Sequence, residues 1–274
     1  MQWFRKLFDF YLDASVHVGL AVVSLYRISV FFLNLQPNKY LMSFLGLSTI
    51  VCYNFMKYGV EAEKYLILSN KYHKVIQAFS FLCFGAVVYF ALQLKIEILV
   101  WTGLFGLLSV LYALPVLPGY NNLRSLGVLK IFIVALVWTG FTVLLPIIDV
   151  GVDVKWDESV LIVQRFLLVL ALILPFEIRD MKFDPLEMQT VPQRLGLKGS
   201  IRFGYILAVL FFLLTFLKDE LSWIEGGSRF LVSTLLIYAL NKTTEAQSKY
   251  FSSFWVEGIP IFWWALLLVL GTNY

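Results

Sequence analysis

The sequence predicts an all-α integral membrane protein with about nine transmembrane helices. Of its 274 residues, 60% are hydrophobic and only 15% are charged, and the mean hydropathy is +0.80. A soluble domain of this length would be far more polar. The apolar residues form continuous runs close to the roughly 20 residues that a helix needs to cross a bilayer. We therefore expect a single membrane domain over residues 1–274.

The predicted spans are separated by polar or turn-forming residues. They cover residues 14–36, 41–58, 74–94, 97–117, 126–148, 159–176, 201–217, 228–241 and 252–271. With the N-terminus in the cytoplasm, 15 of the 22 Lys and Arg residues lie on the cytoplasmic side and 5 on the other side. This excess follows the positive-inside rule. We expect a cytoplasmic N-terminus, a C-terminus on the opposite side, and a location in the bacterial inner membrane.

Three segments outside the spans carry polar residues. Residues 1–13 form a predicted amphipathic helix that lies at the membrane interface. The apolar side of this helix would comprise Trp3, Phe4, Leu7, Phe8 and Tyr11. Residues 57–74 and 177–202 are predicted cytoplasmic polar loops, because each follows an even-numbered span.

The two cysteines, Cys52 and Cys83, lie in apolar runs, so we expect packed thiols rather than a disulfide or a zinc site. The two histidines, His17 and His73, are far apart in the chain and complete no metal-ligand pattern. We expect the lipid bilayer as a partner and no nucleic acid.

The most polar stretch of the chain is PFEIRDMKFDPLEMQTVPQRLG, residues 175–196. Asp180 and Asp184 are four residues apart, so on a helix their carboxylates would share one face. Such a pair suits Mg²⁺, which commonly binds one or two carboxylates together with substrate phosphates. The alternative is a solvated loop of balanced charge.

A second polar cluster ends the second predicted span, in YNFMKYGVEAEKY. Asn54, Tyr58 and Glu61 are spaced four and three residues apart, so they would line one helical face. Both clusters would then lie on the cytoplasmic side of the membrane. The alternative for Asn54 is a hydrogen bond between packed helices.

The segment EIRDMKFDPLEMQTVPQRLG resembles the second aspartate-rich motif of the UbiA-type intramembrane prenyltransferases. In that family an Asp-x-x-x-Asp pair precedes a Thr-x-Pro-x-x-x-Gly-like tail. The matching residues are Asp180 and Asp184 for the pair, and Thr190, Pro192, Leu195 and Gly196 for the tail. The stretch YALPVLPGYNNLRSLGVLKIFIVALVW also resembles the family, with Tyr112, Pro115, Arg124 and Lys130 at familiar places. The resemblance implies nine transmembrane helices around a central, lipid-accessible cavity.

The activity that the resemblance implies is transfer of a polyprenyl group from its diphosphate to an aromatic or lipid-pathway acceptor, assisted by Mg²⁺. The tail would lie in the apolar cavity and the diphosphate at its cytoplasmic mouth. The residues expected to act in catalysis are Asp180, Asp184 and Asn54. The residues expected to bind metal are Asp180, Asp184, Asn54 and Glu61. The residues expected to bind substrate are Lys130, Arg124, Arg179, Lys182 and Tyr58.

The sequence departs from the family at the first motif, which is Asn-x-x-x-Asp-x-x-x-Asp. Asn54 matches, but Tyr58 and Ala62 stand where aspartates are expected. Phe176 and Glu177 replace an Asn-Asp pair before the second motif. A metal site of this kind would bind Mg²⁺ weakly or hold a single ion. The alternative is a catalytically degenerate protein of the same fold that binds lipid or joins a membrane complex, and a transporter is a third hypothesis.

Overall fold

The computed structural model describes residues 2–60, 71–113 and 127–271, and the regular structure in these ranges is helical. The helices are α1 (Gln2–Asp13), α2 (Val16–Phe32), α3 (Lys39–Phe55), α4 (Lys71–Ala91), α5 (Ile96–Ala113), α6 (Leu129–Thr139), α7 (Leu145–Val150), α8 (Trp156–Asp180), α9 (Val191–Leu213), α10 (Trp223–Lys242) and α11 (Ile259–Gly271). Short π-helical turns cover Met56–Val60, Gly140–Leu144 and Phe251–Val256, and 3-10 turns cover Leu186–Met188 and Leu214–Leu217.

The structure does not confirm the predicted number of nine spans. In the described residues, 5 helical segments are long and apolar enough to cross a membrane, and α1 with α2 makes a sixth if this pair, bent by 58°, counts as one span. The five segments are Tyr72–Ala91, Leu129–Val150, Trp156–Asp180, Val191–Leu217 and Phe251–Gly271. Each predicted range overlaps a helix, but α3 has only 17 residues and α10 carries Glu225 and Arg229 in its first half.

The N-terminal helix occupies nearly the whole range predicted for it. Trp3 and Phe4 are exposed on α1, whereas the Phe8 ring packs against the rings of Tyr250 and Phe254. The apolar side of α1 is therefore divided between the bundle and the surface. The position of α1 at the membrane interface stays a prediction.

The bundle is organised around α8. Its buried side chains, among them Leu168 and Leu174, join residues of α2, α6, α9, α10 and α11 in the main core. Trp263 and Phe211 pack edge to face in this core with ring centroids 5.8 Å apart. By contrast α4 is peripheral, and its Phe81 is 75% exposed. An apolar side chain in that position faces lipid in a membrane-spanning bundle.

A buried arginine fastens the centre of α8 to two neighbouring segments. The Arg165 guanidinium donates hydrogen bonds to the backbone oxygen of Leu25 at 2.8 Å, to Thr142 Oγ1 at 2.9 Å and to Ser29 Oγ at 3.0 Å. Polar groups inside a membrane bundle are expected to face its interior and to find partners there. Arg165 thus has a structural role in holding α2 and the segment after α6 against α8.

The helices expose two distinct edges of the bundle. The start of α2 and the ends of α3 and α8 meet at one edge, which we call the cavity edge. The end of α2, the start of α10 and the end of α11 meet at the other, which we call the opposite edge. The predicted meeting of the second and sixth spans is therefore found at the cavity edge.

The π-helical turn after α6 depends on a glycine. A Cβ at Gly140 would lie 2.2 to 2.6 Å from atoms of the Phe105 ring of α5. We expect Gly140→Ala to lower the free energy of unfolding by about 1–3 kcal/mol, because the packed ring must move. Gly103→Ala in α5 is the matched control, since its Cβ would meet nothing within 4 Å. It should be neutral or stabilising by up to about 1 kcal/mol through helix propensity. Unfolding titrations in mixed micelles measure the free energy of unfolding of both variants. Equal changes in Gly140→Ala and Gly103→Ala would contradict the packing argument.

Candidate functional site

The segment that resembles the second aspartate-rich motif joins α8 to α9. Helix α8 continues to Asp180, and α9 begins at Val191, so the predicted loop 177–202 is wrong in its bounds. Thr190 caps α9, and its backbone N–H donates to Gln193 Oε1 at 2.9 Å. Pro192 follows in the first turn, where proline is favoured because its missing N–H needs no helical partner. The tail of the motif is thus a helix start.

The spacing predicts that the two aspartates share one helical face. The structure does not place both of them on a helix. Asp180 is the last residue of α8, and Asp184 lies in the turn that follows. The backbone N–H of Asp184 donates to the Asp180 carbonyl at 3.0 Å, which closes a single turn after the helix. The two carboxylates have different partners, which are Arg179 for Asp180 and Lys130 for Asp184.

Asp184 belongs to a buried ion-pair cluster. The Lys130 ammonium of α6 lies 3.0 Å from Asp184 Oδ2 and 3.0 Å from Glu177 Oε2. The three side chains are only 6%, 12% and 10% exposed, in the order lysine, aspartate, glutamate. Lys130, predicted to bind substrate, therefore bridges α8 and the following turn.

Asp180 pairs with its neighbour. Arg179 Nε lies 2.7 Å from Asp180 Oδ1, and Arg179 Nη2 lies 3.1 Å from Oδ2, so the contact is bidentate. Arg179 also donates to Ser253 Oγ at 3.3 Å, and its guanidinium lies 5.3 Å from the centre of the Phe176 ring. Both Arg179 and Asp180 line the space at the cavity edge that we call the main cavity.

Asn54 does not line that cavity. Its Nδ2 donates to the Ala14 carbonyl at 3.1 Å and to Ser80 Oγ at 2.9 Å. The side chain therefore links α3 to the start of α2 and to α4, which is the helix-packing alternative of the sequence analysis. The prediction that Asn54 joins Asp180 in a catalytic or metal site has no support in these contacts.

The main cavity has a volume of about 550 Å³ and lies between the ends of α3 and α8 and the start of α11. An apolar chamber of about 270 Å³ adjoins it between α3, α5 and α6. The residues that line both spaces are Tyr53, Met56, Tyr112, Val134 and Trp138. Trp138 Nε1 donates to the Tyr53 hydroxyl at 3.1 Å. A polar cavity and an apolar chamber thus share one wall.

Lys57, Glu257 and Ser253 are polar cavity residues that were not among the predicted site residues. Lys57 lines the cavity, and its Nζ donates to Ser15 Oγ at 2.9 Å. Glu257 also lines the cavity, together with the cations Lys57 and Arg179. Ser253 contributes through its contact with Arg179. The signal that could have found Glu257 is an acidic residue at the start of an apolar span.

Two π-helical turns shape this cavity. Met56–Val60 continues α3 and presents Lys57 and Tyr58, whose hydroxyl donates to the Asp13 carbonyl at 3.1 Å. Phe251–Val256 precedes α11 and presents Ser253. π-Helical turns in membrane and soluble helices are frequent at functional sites. Tyr58 therefore lies at the cavity, and its role in substrate binding stays a prediction.

The remaining predicted residues fall outside the cavity or outside the described chain. Lys182 is exposed, and its ammonium lies 4.9 Å from the centre of the Phe183 ring. Arg124 and Glu61 lie outside the residues that the structure describes.

The described residues do not fit a magnesium site in this arrangement. The two carboxylates predicted to share an ion are held by different cations, Arg179 and Lys130. Within residues 2–60, 71–113 and 127–271, no three His, Cys, Asp or Glu side chains cluster so that they could hold a metal. Mg²⁺ binding by Asp180 and Asp184 stays a prediction from the sequence.

The fold and the cavity define an integral membrane protein whose helical bundle holds a polar cavity beside an apolar chamber. Its fold is that of a UbiA homolog. The apo structure of a UbiA homolog from Aeropyrum pernix K1 matches with a TM-score of 0.65 and 14% sequence identity, over 93% of this chain and 98% of that chain. No family model matches the chain, and no curated protein matches it. The predicted UbiA-like fold class is confirmed.

Proposed function

We propose that this protein binds a polyprenyl diphosphate within the membrane. The observation that supports this function is the wall shared by the apolar chamber and the polar cavity. An isoprenoid tail fits an apolar space, and a diphosphate requires cations or hydrogen-bond donors. Arg179 and Lys57 supply such groups at the cavity.

Two functions of the protein are compatible with binding of this molecule. Prenyl transfer to an aromatic or lipid-pathway acceptor is favoured by Asp180, which matches a motif position and lines the cavity. Lipid binding without transfer, alone or as a subunit of a membrane complex, is favoured by the ion pairs of Lys130 and Arg179 and by the packing role of Asn54. These contacts leave few groups for a metal, so the geometry favours binding without transfer.

Binding is tested with purified protein and radiolabelled geranylgeranyl diphosphate, with Mg²⁺ or with EDTA. We expect saturable binding, and we expect Arg179→Gln to weaken it about tenfold or more, because a charge-assisted contact to phosphate is lost. Lys182→Gln is the matched control, since this cation is exposed near the same turn but does not line the cavity. The absence of saturable binding both with Mg²⁺ and with EDTA would contradict the proposal.

Transfer is tested by adding a panel of aromatic and polyisoprenoid acceptors to the same mixture. Radiolabelled product from the unaltered protein would support prenyl transfer and exclude the non-catalytic candidate. Binding without product would support the non-catalytic candidate. The double variant Tyr58→Asp/Ala62→Asp restores the aspartates that the family motif has. Turnover gained only in this variant would identify the lost aspartates as the cause of inactivity.

A further inference from the structure

A second recess lies at the opposite edge of the bundle, away from the cavity. It has a volume of about 630 Å³ and is bounded by the end of α2, the start of α10 and the end of α11. Its wall includes Arg27, Trp223 and Trp264 together with Phe31 and Gly271. None of these residues lines the polyprenyl site proposed above. We call this recess the Arg27 groove.

Arg27 is a membrane-level cation whose charge is left uncompensated by the described chain. It lies five residues before the end of α2 at Phe32, which is about 7.5 Å along the helix axis. In residues 2–60, 71–113 and 127–271 its guanidinium forms no ion pair, and its recorded contact is with Trp264, whose ring centre lies 4.9 Å away. A lone guanidinium at such a depth is unfavourable unless an anion or water reaches it.

Two acidic side chains of the segments around the groove have other partners. Glu225 of α10 follows the groove residues but contacts Lys218 and Arg229 at 2.7 Å each. Asp149 accepts a hydrogen bond from Asn38 Nδ2 at 3.0 Å. The positive charge of the groove is therefore complementary to an anion supplied from outside the described chain.

We propose that the Arg27 groove binds an anionic phospholipid of the leaflet opposite the cavity. The planar guanidinium matches the geometry of a phosphate group, and tryptophan rings are favoured at the level of lipid headgroups. Trp223 is 97% exposed beside the groove, so it lies where a headgroup would be. The acyl chains would lie along exposed apolar side chains on the bilayer-interior side of Arg27, such as Leu20 of α2.

The test counts lipids on the purified full-length protein by native mass spectrometry during titration in maltoside micelles. The probes are dioctanoyl phosphatidylglycerol and dioctanoyl phosphatidylcholine. We expect phosphatidylglycerol to bind about tenfold more tightly, which is the usual scale of one charge-assisted contact. Arg27→Met should abolish this preference, and Arg27→Lys should retain part of it because the charge remains.

Lys39→Met is the matched control, because Lys39 is an exposed cation at the same edge whose ammonium lies over the Tyr40 ring. It should leave the preference unchanged. Equal binding of the two lipids by the unaltered protein would overturn the proposal, as would an unchanged preference in Arg27→Met. Displacement of phosphatidylglycerol by an equal concentration of inorganic phosphate would show a free-phosphate site and would also overturn it.

Discussion

Replacing Lys130 with methionine is expected to lower the free energy of unfolding by about 3–5 kcal/mol. The lysine is 6% exposed and is the cation between Glu177 and Asp184, which are also largely buried. Its removal leaves two neighbouring carboxylates in a poorly solvated place without the positive charge that stabilises them. Breaking a buried pair from one side is costly because the remaining charge keeps its desolvation penalty. Unfolding titrations of the detergent-solubilised protein measure the change.

The matched control for this variant is Lys182→Met, which removes an exposed lysine from the turn between the two aspartates. Exposed ion pairs and single surface charges contribute little, so a change within about 0.5 kcal/mol is expected. The double variant Lys130→Met/Glu177→Gln should recover part of the lost stability, since one of the two unpaired charges is gone. Equal losses in Lys130→Met and Lys182→Met would show that the buried cluster is not formed.

Replacing Gly127 with alanine is expected to lower the free energy of unfolding by about 2–4 kcal/mol. Gly127 has a φ of 60°, and a Cβ there would lie 2.0 Å from the backbone oxygen of Met188. A left-handed conformation is unfavourable for alanine, and the clash is with backbone that cannot rotate away. The Leu186–Met188 turn would have to move, and Asp184 with it, relative to Lys130.

Gly151→Ala separates the strain of the left-handed backbone from the clash with the neighbouring turn. Gly151 has a φ of 75°, but a Cβ there would meet nothing within 4 Å. The control therefore reports only the backbone strain, which is about 1 kcal/mol. The difference between the two variants measures the close approach of Gly127 to the turn before α9. A Gly127→Ala protein no less stable than Gly151→Ala would contradict that approach.

The sequence was sufficient to predict the positions of helices in the described chain. Continuous apolar runs fix where helices form, since a backbone in lipid must satisfy its own hydrogen bonds. The nine spans that the same runs predict are not confirmed in the described residues, because α3 is short and α10 carries buried charges such as Arg229. Periodicity does not show that Arg229 pairs with Glu225 inside the bundle.

The candidate site was only partly predictable. The predicted topology put both polar clusters on one side of the membrane, and Tyr58, Arg179 and Asp180 all line the cavity between the ends of α3 and α8. Spacing failed for Asp184, because the helix ends at Asp180 and the chain turns. It also failed for Glu257, which reaches the cavity from a segment 77 positions beyond Asp180 in the sequence.

The sequence by itself determined that this chain is a helical membrane protein with polar clusters at one edge. That much follows from local hydropathy and from the distribution of charge, which do not depend on how helices pack. Only the tertiary structure decided which charges neutralise each other, as with Lys130 between Glu177 and Asp184. It also assigned Asn54 to helix packing and placed Arg27 in the wall of a groove. The reason is physical: the partner of a charged side chain is set by distances of a few ångströms between segments that are far apart in the sequence.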